Sequence, residues 1–195
     1  MSATLSYLFL KLQAIVLLVL NQKASALERF EQMLALRPDD FYALASRAHV
    51  LAQMGNKAEA LAAQEQLAAR HVGNLAAWFN LGYMLEEAGQ HARAEEAFRR
   101  VIGIDPKMDR AWYGLALVLI QVRRFDEAVA ALKTNTELQP MSPFGWYQLA
   151  RVHVDRHEPD EAVKIIRHLR GFEPKVAAQL ERETGLRATP ATSTS

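Results

Sequence analysis

The sequence predicts an all-α solenoid of five helix pairs followed by a C-terminal capping helix. Three observations lead there. The stretch Asn74 to Pro106 recurs in punctuation when the chain is slid by thirty-four residues, so that Ala94 aligns with Ala26, Ala60, Ala128 and Ala162, and Gly82 with Ala14, Ala48, Ala116 and Ala150. Trp78 aligns with Trp112 and Trp146, with Leu10 and Leu44 in the earlier slots. Four of the seven prolines, Pro38, Pro106, Pro140 and Pro174, share one phase of the same period, which chance placement does not produce.

A thirty-four-residue unit with an aromatic, a Leu and a small residue in its first half, and Ala, a bulky apolar residue and Pro in its second, resembles the tetratricopeptide repeat family. The resemblance covers residues 7–174 as five units, 7–40, 41–74, 75–108, 109–142 and 143–174; with 175–187 as a cap helix these make one solenoid domain, 7–187, and 188–195 is expected to be a disordered tail. The second unit is the weakest match. It carries Arg47, Gln64 and Val72 where its siblings carry Gln or Leu, a large apolar residue and Pro; its phase is intact, and its packing is expected to be the weakest of the five.

Each unit divides into two short helices. Asp40, Asn74, Asp109 and Ser142 are placed to accept the orphan N–H groups of a first turn, and Pro143 tolerates the first helical position. Gly55 and Gly89 suit a left-handed turn between the paired helices, where Arg123-Arg124 and His157-Glu158-Pro159 stand in later units. Asp126-Glu127 and Asp160-Glu161 place negative charge at the positive end of the following helix. The small residues let paired helices approach, and the Trp positions read as packing residues rather than ligand-stacking ones, because they share a phase with Leu10 and Leu44.

Residues 5–20 form an almost wholly apolar run, broken by Ser6, Lys11 and Gln13. Its sixteen residues span about 24 Å as a helix, short of the roughly 30 Å hydrocarbon core of a bilayer. A secretory signal wants basic residues before the run and small residues after it, whereas Lys11 lies inside and Asn21-Gln22-Lys23 follows. The repeat phase makes it the first repeat helix, with a membrane anchor as the alternative. A helix apolar nearly all round is normally buried, which predicts self-association or burial against a partner through 5–20, with membrane contact the rival.

Composition removes several classes of function. A formal net charge of +1 provides no global field for nucleic acid. The absence of Cys excludes disulfides, thiolate metal sites and cysteine nucleophiles. There is no glycine-rich phosphate loop, no Gly-x-Ser-x-Gly elbow and no His-Glu-x-x-His helix. His153 and His157 share a helical spacing, with Asp155 and Glu158 nearby, but two histidines are an incomplete ligand set and His153 occupies a slot held elsewhere by Leu. Glu86-Glu87 and Glu95-Glu96 read as solvated helix faces, and Arg99-Arg100 and Arg123-Arg124 are interrupted by acidic neighbours. The sequence therefore predicts no catalytic residue, no cofactor, no metal and no nucleic-acid partner.

What the resemblance implies is a groove. In the tetratricopeptide repeat family the first helices line a concave face that takes a peptide, and position by position this points to Tyr42, Ala45, His49 and Gln53; Phe79, Tyr83, Glu86 and Glu87; Arg110, Tyr113, Leu117 and Gln121; and Phe144, Tyr147, Arg151 and Asp155. Phe79, Tyr113 and Tyr147 also recur one position after the Trp, which predicts an aromatic stripe. Aromatic and Arg side chains on such a face suit binding hot spots. The Lys and Asn carboxylate clamp of some family members is incomplete, since Lys11 matches but Ile15 stands in place of Asn. The expected function is that of a non-enzymatic, cytoplasmic scaffold or adaptor for a protein segment. The alternatives are a membrane-tethered assembly factor anchored through 5–20 and an accessory module of a transferase or other enzyme complex.

Overall fold

The computed structural model describes residues 3–188. Among the described residues there are eleven α-helices and no strand: α1 (Ala3–Val19), α2 (Lys23–Leu36), α3 (Phe41–Gln53), α4 (Lys57–Arg70), α5 (Leu75–Glu87), α6 (His91–Ile104), α7 (Asp109–Gln121), α8 (Phe125–Leu138), α9 (Pro143–Asp155), α10 (Pro159–Arg170) and α11 (Pro174–Thr184). The architecture is the all-α solenoid of helix pairs that the period predicts, with α11 as the extra terminal helix. The chain divides into two compact units, Met1–Ala88 and Gly89–Ser195, so that α1–α5 belong to the first and α6–α11 to the second.

Helix starts follow local chemistry only in part. The Asp40 and Asn74 carboxamide or carboxylate oxygens accept from the amides of Ala43 and Ala77 at 2.8 and 2.9 Å, closing the first turns of α3 and α5. Asp109 is instead the first residue of α7, whose cap is Met108, and the Ser142 side chain makes no capping bond. The turn within each pair is more regular. Asn21, Gly55, Gly89, Arg123 and His157, each thirty-four residues from the next, all have φ between 57° and 82°. In the pairs of both units the following amide reaches back five residues, as in Gln22 to Leu17, Asn56 to Leu51, Arg124 to Leu119 and Glu158 to His153, which is the hydrogen-bond pattern of a Schellman turn. Three of the five positions thus hold a side chain in a conformation that costs an L-residue roughly 1–2 kcal/mol.

The small residues of the period are buried throughout. Ala14, Ala26, Ala48, Ala60, Ala94, Ala116, Ala128, Ala150 and Ala162 are at most 3% exposed, and Gly82 is buried with them. Phe30, Phe98, Leu132 and Ile166, one repeat slot apart from one another with Gln64 between the first two, are fully covered. In the second unit Gly114 of α7 lies against the Phe98 ring, and a Cβ there would meet the ring at 2.6 Å. The Trp residues are half-buried rather than core-filling. Each indole N–H donates to a main-chain carbonyl six residues earlier: Trp78 to Val72 at 3.0 Å, Trp112 to Pro106 and Trp146 to Pro140, both at 2.8 Å. A buried indole needs such an acceptor, and the loop ahead of the helix supplies it.

In α1, Tyr7 and Ala14 are buried while the opposite side is open to solvent. The Tyr7 hydroxyl is pushed up to about 12 by burial and by its hydrogen bond to Asp40, and the Arg37 guanidinium lies 4.2 Å from its ring centroid. No described helix is long and apolar enough to cross a membrane. At the other end α11 stops at Gly185 in a left-handed conformation, one turn before the predicted end of the cap. Ala188, where the sequence reading starts the tail, is buried: its amide donates to Glu181 Oε1 at 2.9 Å and its carbonyl accepts from Arg170. The rest of the predicted tail, 189–195, lies outside the described residues.

Two stability outcomes follow. His157→Gly relieves the left-handed strain at an exposed turn and should raise stability by about 0.5–1 kcal/mol, read by urea unfolding. Gly114→Ala drives a methyl into the buried Phe98 ring and should lower stability by about 1–2 kcal/mol, the overpacking exceeding the helix-propensity gain of about 1 kcal/mol. A Gly114→Ala variant as stable as the parent would show that the ring has room to move.

Candidate functional site

In the first unit, the predicted face of α3 carries Tyr42, Ala45, His49 and Gln53 at helical spacing. Tyr42 is half-buried, edge-on to Phe30 with ring centroids 6.1 Å apart and with Lys11 Nζ 4.2 Å from its centroid. His49 and Gln53 are exposed, and the Gln53 amide nitrogen lies 2.7 Å from His49 Nε2, a donation that places the neutral ring's proton on Nδ1. Ala45, His49 and Tyr83 line one depression of about 390 Å³ between α3, α4 and α5, together with Ala48, Gln64 and Met84.

The depression has a local cause. Gln64 stands in the slot that Phe30 and Phe98 fill, and it is 5% exposed. Its amide donates to the Ala77 carbonyl at 2.8 Å, which satisfies a buried polar group without filling an aromatic ring's volume. Alanines at 45, 48, 52 and 76 line the space that remains. Arg47, the other departure in this unit, is spent on neighbours: it donates to Gln66 Oε1 at 2.6 Å and lies 3.4 Å from Glu31. The sequence singled out Gln64 as a packing weakness; the structure makes it a wall of a pocket, with Phe41, Asn80 and Met84 as further lining that the repeat phase did not flag.

Phe79 departs from expectation. It is 6% exposed and packs edge-on against Tyr83, with centroids 4.9 Å apart, one turn along α5. Tyr83 is half-buried while Phe79 is covered, so Phe79 belongs to the interior and not to an exposed stripe. Glu86 and Glu87 lie at the end of α5 and do not reach the pocket.

In the second unit, Arg110 and Gln121 of α7 are exposed, while Tyr113 and Leu117 between them are half-buried. On α9, Phe144 is 68% exposed, Tyr147 is half-buried, and Arg151 and Asp155 are exposed. The Tyr147 hydroxyl donates to Glu183 Oε2 at 2.6 Å and accepts from Arg151 Nη1 at 3.2 Å. Hydrogen bonding from Tyr147 and then Gln179 holds the Glu183 carboxyl below the usual carboxylate range, and the Tyr147 hydroxyl raises the Arg151 guanidinium.

Helix α11 therefore borders the predicted face of α9 as well as covering the last pair. Along its seam with α9, a notch of about 250 Å³ is lined by Pro143, Phe144, Tyr147, Val176 and Gln179. A more polar depression of about 410 Å³ adjoins Arg151, Val154, Asp155, Glu183 and Thr184. The repeat phase assigned the α11 residues no binding role, since they were read only as a cover for the last pair.

Other candidates are engaged locally. His153 is buried, with Nδ1 2.7 Å from Glu158 Oε2, and His157 lies in the exposed turn. Glu158 also meets Arg156 at 2.9 Å, and Arg156 meets Asp126 at 3.0 Å. No group of three or more metal-ligating side chains occurs among the described residues. Arg99 and Arg124 both bridge Glu95 and Glu127, at 2.6–3.0 Å, so these basic positions are charge-matched within their own helices and neighbours. Arg124 holds the Glu127 carboxyl below its usual range, with the raised basicity of the guanidinium as its counterpart.

The tetratricopeptide repeat models match residues 11–69, 45–109 and 85–143. The chain belongs to the tetratricopeptide repeat family, whose members are in general non-enzymatic protein-interaction scaffolds. Solved structures agree in fold. MamA from Desulfovibrio magneticus RS-1, beginning at its residue 41, is 18% identical with a TM-score of 0.74 over 91% of this chain and 96% of that one. YrrB, described as a tetratricopeptide repeat protein with an unusual peptide-binding site, is 18% identical with a TM-score of 0.75 over 87% and 88%. A tetratricopeptide repeat protein from Parabacteroides merdae ATCC 43184 is 20% identical with a TM-score of 0.79 over 92% and 74%. No curated protein sequence matches the chain.

The Tyr147–Glu183 contact sets a pH dependence. A carboxyl whose folded pKa is depressed adds stability that is present above its ordinary value of 4.5 and is lost as pH falls through the lower folded value. Carboxyl carbon NMR should therefore show Glu183 titrating below 4.5 in the parent and returning toward that value in Tyr147→Phe.

Proposed function

We propose that the chain binds extended segments of other proteins on its first-helix faces, through an anchor pocket in the first unit and, separately, through the α9–α11 seam in the second. The observation that carries the reading is the pocket beside Gln64: it joins Ala45, His49 and Tyr83, three groove positions that the family resemblance implies, around a depression large enough for one side chain. Its alanine walls suit an aliphatic or aromatic anchor, and His49, Gln64 and Asn80 offer hydrogen-bonding groups for the backbone beside it.

The second unit supports the same reading independently. Phe144 and Val176 form an apolar notch next to the charged pair of Arg151 and Glu183, so one residue of a segment packs while its neighbour pairs. The fold shared with YrrB is consistent with a peptide-binding role, and the neutral, charge-matched surface favours a protein ligand over a polyanion.

Gln64→Leu tests the proposal. Leu restores the apolar filling found at Leu132 in the same slot, so stability should rise by about 1 kcal/mol, burial outweighing the lost hydrogen bond. Peptides selected from a random library against the parent chain should bind Gln64→Leu at least about tenfold more weakly by fluorescence anisotropy. Ala45→Trp should weaken them similarly with the melting temperature little changed. Equal affinity of the parent and both variants for every selected peptide would remove the pocket from the function.

A further inference from the structure

From the outer side of α1 we infer that the chain pairs with a second copy of itself through a helix-to-helix seam, an interaction separate from the peptide-binding faces. The carrying observation is a register. Leu5, Leu12 and Val19 are seven residues apart, Leu8 and Ile15 are seven apart, and Phe9 and Val16 are seven apart. All seven face solvent, from 41% exposed at Ile15 to 81% at Val19. They occupy the a, d and e positions of a heptad, the spacing with which one α-helix packs along another. The buried residues Tyr7 and Ala14 lie on the opposite side, so packing within the chain already has its own face.

The occupant follows from area, charge and symmetry. These side chains expose on the order of 800 Å², the amount that each partner of a standard-size interface covers. The stripe carries no charge and no polar residue, and an identical helix related by a two-fold axis presents the same stripe in return. A helix lying on a bilayer instead displays Lys or Arg along its flanks. The one charged residue of α1, Lys11, is half-buried with its ammonium over the Tyr42 ring, and Lys23 beyond the helix donates to the Gln53 carbonyl at 3.5 Å. Beside the stripe, a notch of about 330 Å³ lined by Leu12, Gln13, Val16, Leu17 and Arg29 offers a hole for a knob such as Phe9 of the second copy.

Sedimentation equilibrium of the full chain, from micromolar to high-micromolar concentration, tests this. The expected mass is twice the 21.9 kDa of one chain. Leu12→Glu, a surface change, should weaken the dimer by at least about a hundredfold with circular dichroism and melting temperature preserved. Because the chain has no Cys, Leu12→Cys should give a single oxidised dimer band. Leu5→Cys mixed with Val19→Cys should cross-link if the helices run antiparallel, and each variant with itself if they run parallel. A one-chain mass throughout the range would overturn the inference. So would a dimer that Leu12→Glu leaves intact, or flotation of the parent as monomers with phosphatidylcholine–phosphatidylglycerol vesicles.

Discussion

Close approach of paired helices is the constraint on which the rest of the structure depends. At ten positions set by the thirty-four-residue period the side chain is Ala or Gly, and all ten are buried. With no bulk there, large residues one helical turn along, such as Phe30, Phe98, Leu132 and Ile166, can fill the space between helices completely. The interior is thus specified by an alternation of small and large residues, and a single exception has a visible local effect. At Gln64 the exception is a polar side chain that finds one acceptor but not enough volume to fill, and the result is the depression that the proposed peptide uses.

Much of the fold was legible because its determinants are local. Asp40 and Asn74 cap the helices they precede, Gly55 and Gly89 turn where a left-handed residue is needed, and the prolines close the units. Arg123 and His157 were reached only through the period, and Asn21, a residue type that tolerates a positive φ, was not assigned to a turn before the structure showed it there. The site was legible in part. Ala45, His49 and Tyr83 are gathered as the helix face predicts, whereas Phe79 is buried and packs edge-on against Tyr83 one turn on. The part played by α11 was not legible at all. That Glu183 would meet Tyr147, thirty-six residues earlier, depends on how the last helix lies across α9, and no spacing within α11 encodes it.

Helix α1 shows how a sequence pattern can hold two messages at once. Residues 7 and 14 address the chain's own interior while 5, 12 and 19 address the outside, so the helix looks apolar all round and its amphipathic signal cancels. Composition alone reads such a helix as membrane-directed. Separating the two faces required knowing which one the chain itself covers, which only the packed structure supplies.

The three indoles give the molecule built-in optical gauges. Trp78 fastens the joint between α4 and α5, Trp112 the joint between α6 and α7, and Trp146 that between α8 and α9, each through one bond to a loop carbonyl. No other Trp contributes to emission. Loosening of any one joint frees an indole into water and reddens its fluorescence, so single-Trp versions of the chain report the opening of the first unit through residue 78 and of the second through 112 or 146, without any attached dye.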